Sequence, residues 1–199
     1  MSAPRPTDRL LLPVGHRLGP VYDVDGSRPV ALRVRIGSRE EELSDAEASV
    51  WLAAHVPGNR PGSGPGRGAE VVAALRARGL LAELVPGDAA VAVARGLRAR
   101  PLGIGLGEGG PGGTSEVFGL PDRPLLVLPG QAGQRWQTCL LAPDLWAAAV
   151  GSVALRAADD DHQPTRAEAV AELDLLLPLL PEVLAAGCGY LDAVDRPAG

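Results

Sequence analysis

The residues whose spacing comes nearest to a recognised chemistry are the glycines of P-L-G-I-G-L-G-E-G-G-P-G-G, residues 101–113. Gly105, Gly107 and Gly110 have the spacing of a dinucleotide-binding loop, in which backbone amides approach a pyrophosphate at the start of a helix. The residues that follow indicate loop and strand rather than helix, so the helix dipole that would hold the phosphates is missing. We therefore interpret the segment 101–114 as a flexible linker and predict no cofactor.

The other residues that could carry chemistry are scattered along the chain. The stretch D-D-D-H at 159–162 offers hard oxygen ligands and an imidazole, but adjacent side chains on an extended chain point apart. His16 and His55 are isolated in the sequence, and neither Ser63 nor Ser115 lies in a nucleophile elbow. The sequence therefore predicts no metal site, no catalytic residue and no enzymatic activity.

The chain contains no lysine, and all 19 of its cationic residues are arginine. A Walker-type phosphate loop and a pyridoxal Schiff base each need a lysine, so both are excluded. Cys139 and Cys188 have no cysteine or histidine at ligand spacing, and we interpret both as buried free thiols.

Composition sets the class of protein. Nearly half of the 199 residues are hydrophobic, so a core can form, although aromatic residues are scarce. No apolar stretch approaches the roughly 20 residues that a membrane helix needs. The first residues, M-S-A-P-R-P-T-D-R-L-L-L-P, do not read as a signal peptide. The expectation is a cytoplasmic protein with no membrane partner.

The same order of signals occurs twice. From Val21 the sequence reads V-Y-D-V-D-G-S-R-P-V-A-L-R-V, and from Val117 it reads V-F-G-L-P-D-R-P-L-L-V-L. Each stretch alternates about a short turn, which indicates a β-hairpin. Each is followed by a helix-like segment with a tryptophan, Trp51 or Trp136, and then by a spacer and a long apolar helix. We interpret this as the duplication of one α+β unit with a tryptophan in each core.

Two capping boxes mark helix starts within this repeat. S-D-A-E begins at Ser44 and T-R-A-E begins at Thr165. In such a box the hydroxyl and the glutamate three residues later satisfy free backbone donors at the start of a helix. Both sites therefore predict helices that begin at the next residue.

A hairpin, a helix and a second helix ending in A-R-G-L-L resemble a winged-helix domain. The resemblance covers roughly residues 20–100 and, more loosely, 115–192, and it implies an α+β fold of two winged-helix-like domains in tandem. Residues 1–19 are then an N-terminal arm, 101–114 the linker and 193–199 a tail.

Two features bear on this resemblance. L-L-A-E-L-V-P-G-D-A-A-V-A-V-A-R, residues 80–95, fits either a wing of two strands or a helix capped by Asp88. The helix that normally precedes a recognition helix is replaced by P-G-N-R-P-G-S-G-P-G-R-G at 57–68, which cannot easily be helical. In the second half the matching place holds the acidic D-D-D-H-Q-P. A DNA-reading helix-turn-helix is therefore damaged.

Winged-helix domains without a working recognition helix often bind proteins. Leader-peptide recognition elements of the peptide-chaperone type are similar, with three strands before three helices and a peptide paired to an open strand edge. The candidate edge here is A-L-R-V-R-I at 31–36, where Arg33 and Arg35 share one face and could meet an acidic leader. Charges on an edge strand are also ordinary protection against aggregation. The leading prediction is a non-catalytic protein- or peptide-recognition module with a regulatory role.

The alternative prediction is a DNA-binding transcriptional regulator that uses the segment 60–100. This segment carries seven arginines against three acids in a chain whose net charge is −5. Arg76 and Arg78 end the would-be recognition helix, and Arg95 and Arg98 extend the basic patch. The same charges could instead form a solvated surface or dock on the acidic C-terminal half. Exposed apolar edges could also form a homodimer.

Overall fold

The computed structural model describes residues 9–58, 66–157 and 163–194. The fold is mixed α and β, with small antiparallel sheets and the helices packed against them. None of the helices in these three ranges is both long enough and apolar enough to cross a bilayer.

The first lobe is the set of elements from Leu10 to Leu84. Three of its strands form a meander in the order β2-β3-β4, and the first and last strands pair with each other. Its elements are β1 (Leu10–Pro13), β2 (His16–Tyr22), β3 (Pro29–Ile36), β4 (Arg39–Leu43), α1 (Asp45–Ala53), α2 (Arg67–Ala77) and β5 (Leu81–Leu84).

The second lobe runs from Leu97 to Ala193 and follows the connecting helix α3 (Asp88–Ala94). Its strands are β6 (Leu97–Pro101), β7 (Ile104–Gly109), β8 (Ser115–Leu120), β9 (Arg123–Pro129) and β10 (Gly189–Ala193), with a short 3-10 helix at Pro111–Gly113. Its helices are α4 (Gly130–Leu141), α5 (Leu145–Arg156), α6 (Arg166–Leu176) and α7 (Leu179–Ala185). β7-β8-β9 form a second meander, and β6 pairs with β10.

The two lobes close in the same way. In each, the residue after the terminal proline of the opening strand donates its N–H to the carbonyl just before the closing strand. Val14 N–H donates to Leu80 O at 2.9 Å, and Leu102 N–H donates to Cys188 O at 3.0 Å. The opening and closing strands are antiparallel in both lobes. The order of elements is therefore repeated, apart from the additional helices of the second lobe.

The helix before each closing strand ends on an equivalent glycine. Gly79 and Gly187 have φ values of 77° and 70°, which lie in the left-handed region that L side chains rarely adopt. The amide after each glycine donates to a carbonyl five residues earlier, at 2.8 and 3.1 Å. This is the Schellman arrangement, which satisfies the last carbonyls of a helix and turns the chain into the closing strand.

Each lobe buries one tryptophan from its first helix. The Trp51 indole N–H donates to Val14 O at 3.2 Å. Trp136 lies against the closing strand, where a Cβ added to Gly189 would come within 2.7 Å of the indole Cζ2. Both tryptophans are fully buried, as the sequence predicts, but they belong to one hydrophobic core that spans the two lobes rather than to a separate core in each. Both predicted capping boxes, at Ser44 and Thr165, are also confirmed.

Two expectations about local structure are wrong, and one open alternative is decided. The segment 101–114, expected to be a flexible linker, contains β7, because its glycines lie beside β8 and take part in a ladder. Of the two alternatives for 80–95, the helix is found, as α3 after strand β5, although its N-cap is Gly87 rather than Asp88. The expected N-terminal arm contains β1 and the start of β2, because β1 pairs with β5.

The alignment of the two hairpins is also wrong. The stretch from Val21 corresponds to β2 and β3, whereas the stretch from Val117 corresponds to β8 and β9. Because β3 and β8 are the central strands of their meanders, the equivalent hairpin to β2-β3 is β7-β8. The stretches 59–65 and 158–162, which include most of the glycine- and proline-rich spacer and the D-D-D-H motif, lie outside the described residues.

Candidate functional site

The paired strands β6 and β10 have one apolar and one polar face. They read L-R-A-R-P and G-Y-L-D-A, so side chains alternate between the two faces. Leu97, Ala99 and Leu191 are buried in the core. On the opposite face the register places Arg100 beside Tyr190, and it places Arg98 beside Asp192.

The first lobe reaches this polar face through β3. Arg35 lies on the outer side of β3 and donates from Nη2 to the Tyr190 hydroxyl at 3.0 Å. His16 is opposite Arg35 in the β2–β3 register, and its ring lies 4.8 Å from the Tyr190 ring, centroid to centroid. Tyr190 therefore contacts two strands of the first lobe.

Asp192 holds the two lobes together. It is only 3% exposed, and its Oδ1 accepts the Gly37 N–H of the β3–β4 turn at 2.6 Å. Its Oδ2 accepts from Arg98 Nη2 at 3.2 Å. A buried carboxylate needs such partners, because an unpaired charge in the protein interior is costly. The charge of Arg98 is thus compensated within the chain.

These residues surround a cavity of about 350 Å³ between the lobes, which we call the arginine pocket. Its lining includes Arg35, Gly37, Arg98, Arg100, Tyr190 and Asp192. Three guanidinium groups face one carboxylate. Among the described residues, no carboxylate lies within 4.0 Å of Arg35 or Arg100. The Nε atom of Arg98 is buried and has no hydrogen-bond partner among the residues that the structure describes.

This arrangement can bind an anion. Guanidinium groups bind planar carboxylates with two parallel hydrogen bonds, and such charge-assisted bonds are stronger than neutral ones. Tyr190 adds a hydroxyl to the wall of the pocket. The groups that line the pocket provide positive charge and hydrogen-bond donors.

The structure brings together two of the six arginines that the sequence singled out, Arg35 and Arg98. Arg33 lies outside the pocket and pairs with Glu40 at 3.6 Å. The open-edge interpretation of 31–36 is wrong, because β3 is the central strand and pairs with β2 on one side and β4 on the other. A peptide cannot add to a strand whose two sides are already paired.

The remaining predicted arginines are dispersed. Arg76 pairs with Glu83 at 2.7 Å, and Arg78 binds both Glu41 and Glu47 at 2.7 Å. Although burial raises the pKa of Glu47, hydrogen bonds from Ser44 and the charge of Arg78 bring it below its ordinary value. The charges of Arg76 and Arg78 are therefore compensated.

Arg95 lies elsewhere again, with its guanidinium carbon 5.6 Å from the centroid of the Trp146 ring. This distance is within the range of a cation–π contact. The described arginines of the basic segment, from Arg67 onward, consequently do not form one continuous phosphate-facing surface.

Sequence reasoning missed Gly37, Arg100, Tyr190 and Asp192 as members of the site. A usable signal was present for three of them, since L-R-A-R-P and G-Y-L-D-A each alternate in polarity as a half-buried strand does. Their pairing could not be read in the same way, because about 90 residues separate the two segments.

Comparisons with known proteins add no assignment. No protein-family model matches the chain. No curated protein and no solved structure matches it either. Within the ranges that the structure describes, no three His, Cys, Asp or Glu side chains are grouped so that they could hold a metal ion.

Proposed function

We propose that the protein is a non-catalytic recognition module that binds an acidic segment of a protein or peptide partner at the arginine pocket. The observation that carries this proposal is the excess of positive charge there. Arg35, Arg98 and Arg100 line one cavity in which, among the residues that the structure describes, Asp192 has the single carboxylate. A partner's carboxylate would bind Arg35 and Arg100, which have no acid beside them in the same described ranges.

The position of the pocket supports a role in recognition. Both lobes contribute to its wall, so a bound ligand would contact Arg35 of β3 together with Arg100 of β6. Binding would therefore favour one relative arrangement of the two lobes, because a ligand stabilises the state to which it binds. This gives the module a simple means of acting as a regulator.

The fold interpretation that accompanies this proposal is a pair of winged-helix-like units. Its support is the order of a three-stranded sheet followed by helices in each lobe. In the first lobe, β2-β3-β4 precede α1, α2 and α3, which is the order of leader-peptide recognition elements, although β5 intervenes before α3.

The DNA-binding alternative remains a prediction without a specific observation in its favour. A DNA-binding surface needs several arginines free to neutralise phosphates. Arg76 and Arg78 are instead occupied by Glu83, Glu41 and Glu47.

The proposal is tested with a fluorescein-labelled, acetylated tetraglutamate amide, whose anisotropy reports binding to the full chain at about 50 mM salt, where surface charges are only partly screened. We expect Arg35→Gln and Arg100→Gln each to weaken binding about tenfold, because each loses a charge-assisted hydrogen bond. Arg33→Gln is the matched control, since this arginine lies on the same face of β3 but outside the pocket. It should change the affinity by less than about twofold.

Two outcomes would overturn the proposal. One is the absence of peptide binding by the wild-type protein, and the other is equal weakening by Arg33→Gln and Arg35→Gln. Duplex DNA is the comparison ligand in the same assay. Salt-dependent DNA binding that Arg76→Glu with Arg78→Glu abolishes would favour the regulator instead.

A further inference from the structure

The size of the arginine pocket limits how much of a partner can enter it. Its volume of about 350 Å³ is near the lower end of the range of small-molecule sites, which is roughly 300–1,000 Å³. A cavity of this size holds one side-chain group rather than a run of residues. Arg35 is exposed to solvent, so a group carried by a partner's chain can reach it. The chemistry of that single anionic group therefore decides how many donors of the pocket are used.

The charges of the pocket favour a group with more than one negative charge. Arg98 is paired with the buried carboxylate of Asp192, so these two charges compensate each other. Arg35 and Arg100 have no carboxylate within 4.0 Å among the residues that the structure describes. One carboxylate of a partner would neutralise only one of these two guanidinium groups. A phosphate monoester carries a charge of about −1.5 to −2 near neutral pH, which matches both of them.

One carboxylate outside the pocket also lies near Arg35. Glu40 is opposite Arg35 in the β3–β4 ladder, but its Oε2 lies 3.6 Å from Nη1 of Arg33. Glu40 is exposed and does not line the cavity. Water weakens the interaction between exposed charges, so Glu40 reduces the positive potential at Arg35 only in part. The donors of Arg35 that line the pocket stay available.

The hydrogen-bond donors of the pocket come from three strands. Arg35 lies on β3, Arg100 on β6 and Tyr190 on β10. The Tyr190 hydroxyl accepts from Arg35 Nη2 at 3.0 Å, and its own proton has no acceptor within the described ranges, so it can be donated to a ligand. A carboxylate has two oxygens in one plane, whereas a phosphate monoester has three terminal oxygens that accept strongly. A phosphoryl group can therefore use all three donors.

We propose that the group recognised by the arginine pocket is a phosphate monoester, carried by a phosphorylated serine or threonine of a protein segment. This inference rests on the function proposed above, because it specifies the anion that the same pocket takes. Arg35 and Arg100 bind the phosphoryl oxygens, and the Tyr190 hydroxyl donates to the third oxygen. Arg98 and Asp192 keep their pairing and hold the wall of the pocket in place.

The test compares three peptides in the anisotropy assay with the full chain at about 50 mM salt. The peptides are G-G-X-G-G amides that carry the same fluorescein label, where X is phosphoserine, glutamate or serine. The phosphoserine peptide should bind at least about tenfold more tightly than the glutamate peptide, because it brings additional charge and a third acceptor oxygen. The serine peptide measures any binding of the label itself and should show none.

The pocket arginines should matter for the phosphoserine peptide more than a neighbouring arginine does. Arg35→Gln and Arg100→Gln should each weaken its binding by more than about tenfold, because each removes a charge-assisted contact with the phosphoryl group. Arg33→Gln is the matched control and should weaken it by less than about twofold, since this arginine lies outside the pocket.

Tyr190→Phe tests the third donor. The substitution removes the hydroxyl and keeps the aromatic ring beside His16. The phosphoserine peptide should lose about fivefold in affinity, while the glutamate peptide should change by less than about twofold, because only the phosphoryl group has an oxygen left for the hydroxyl. A purely structural role of Tyr190 would weaken both peptides by the same factor, which would contradict the proposed contact.

Two small phosphates distinguish a monoester from the diester of a nucleic-acid backbone, and a small ligand from a protein segment. Methyl phosphate at about 10 mM should displace part of the phosphoserine peptide, whereas dimethyl phosphate, which has one charge and two free oxygens, should not. Sodium chloride keeps the ionic strength equal in the two titrations. Equal displacement by both phosphates would contradict recognition of a monoester. Methyl phosphate that binds as tightly as the peptide would contradict a protein partner.

The phosphate inference and the proposed function fail in different ways. If tetraglutamate binds through Arg35 and Arg100 while the phosphoserine peptide binds no more tightly than the glutamate peptide, only the phosphate inference is wrong. If neither tetraglutamate nor the phosphoserine peptide binds the wild-type protein, the proposed function is wrong as well.

Discussion

The two meanders have the same strand order, but the side chains on their outer faces differ in polarity. In the first lobe the central strand places Arg33 opposite Glu42 of the edge strand. In the second lobe the equivalent positions hold Val117 and Val127, and Val127 is 58% exposed. At these positions the outer face of the first three-stranded sheet is therefore charged, while that of the second is apolar.

The two faces also differ in what contacts them. Gly15 precedes β2 and donates its N–H across the lobes to Leu191 O at 2.7 Å. Gly103, at the equivalent place before β7, donates within its own lobe to Cys188 O at 3.2 Å. Through the Gly15 hydrogen bond the first meander lies beside β10, and the arginine pocket lies where this meander and β10 meet. The arginine pocket thus lies at a place where the correspondence between the two lobes is broken.

The largest expected effect on stability comes from removing the two corresponding tryptophans, one in each lobe. Trp51→Ala and Trp136→Ala should each lower the free energy of unfolding by about 3–5 kcal/mol, because each leaves a large cavity in a core. The measurement is urea unfolding followed by circular dichroism. Trp146→Ala is the control, since this side chain is only half-buried. An effect below about 1 kcal/mol at either buried position would mean that the two tryptophans do not contribute equally to the hydrophobic core.

The next largest effect on stability is expected from removing the buried carboxylate of Glu172 on α6. Glu172→Gln should lower the free energy of unfolding by about 2–3 kcal/mol near neutral pH, because Arg135 and Arg156 lose their charged partner. The pKa of Glu172 is lowered in the folded state. Its contribution is therefore present above the ordinary glutamate pKa of about 4.3 and is lost as the pH falls through the folded value.

Unfolding measured from neutral to acidic pH checks this prediction. The wild type should lose more stability on acidification than Glu172→Gln does, so the two curves should converge at low pH. Parallel curves would show that the carboxylate of Glu172 does not carry the effect.

The two glycines that end helices α2 and α7 also test the comparison of the lobes, because replacing either should lower the stability by the same amount. Gly79→Ala and Gly187→Ala should each cost about 1 kcal/mol, since an alanine is strained at a left-handed φ. An added Cβ would meet no atom within 4 Å at either position, so crowding should not separate them. Thermal unfolding of the two variants measures the difference. A gap larger than about 1 kcal/mol would contradict equivalent helix ends.

The smallest effect on stability is expected from exchanging corresponding residues between the outer faces of the two meanders. Arg33→Val gives the first meander the residue of the second, and Val117→Arg makes the reverse change. Both should alter the free energy of unfolding by less than about 1 kcal/mol, because the two side chains are only half-buried and lie outside the core. Neither should change tetraglutamate binding. Reduced binding in Arg33→Val would extend the site beyond the arginine pocket.

Local patterns were sufficient to predict part of this fold. The capping boxes at Ser44 and Thr165 and the burial of the two tryptophans depend on residues close in sequence, and both are found in the structure. The order of elements also repeats, although the predicted alignment of the two hairpins is wrong. The strand β7 was missed because glycine weakens the alternation that identifies a strand. The β-hairpins were misaligned because both contain an Arg-Pro pair after a turn, although they occupy different places in the two meanders.

The site was less predictable than the fold. Arg35 and Arg98 were each chosen for reasons of local charge, one as an edge-strand residue and the other as part of a basic segment. What makes them a site is their convergence with Tyr190 and Asp192, and that depends on the pairing of β6 with β10. Pairing between segments so far apart leaves no periodic signal in the sequence.

The most direct test of this account is an NMR titration that observes both outer faces at once. Arginine Nε–Hε signals report on Arg35 and Arg100, and methyl signals report on Val117 and Val127. On addition of the tetraglutamate peptide, we predict that the arginine signals of the pocket shift progressively while the valine methyl signals stay unchanged. Shifts at the valines without shifts at Arg35 and Arg100 would contradict the account.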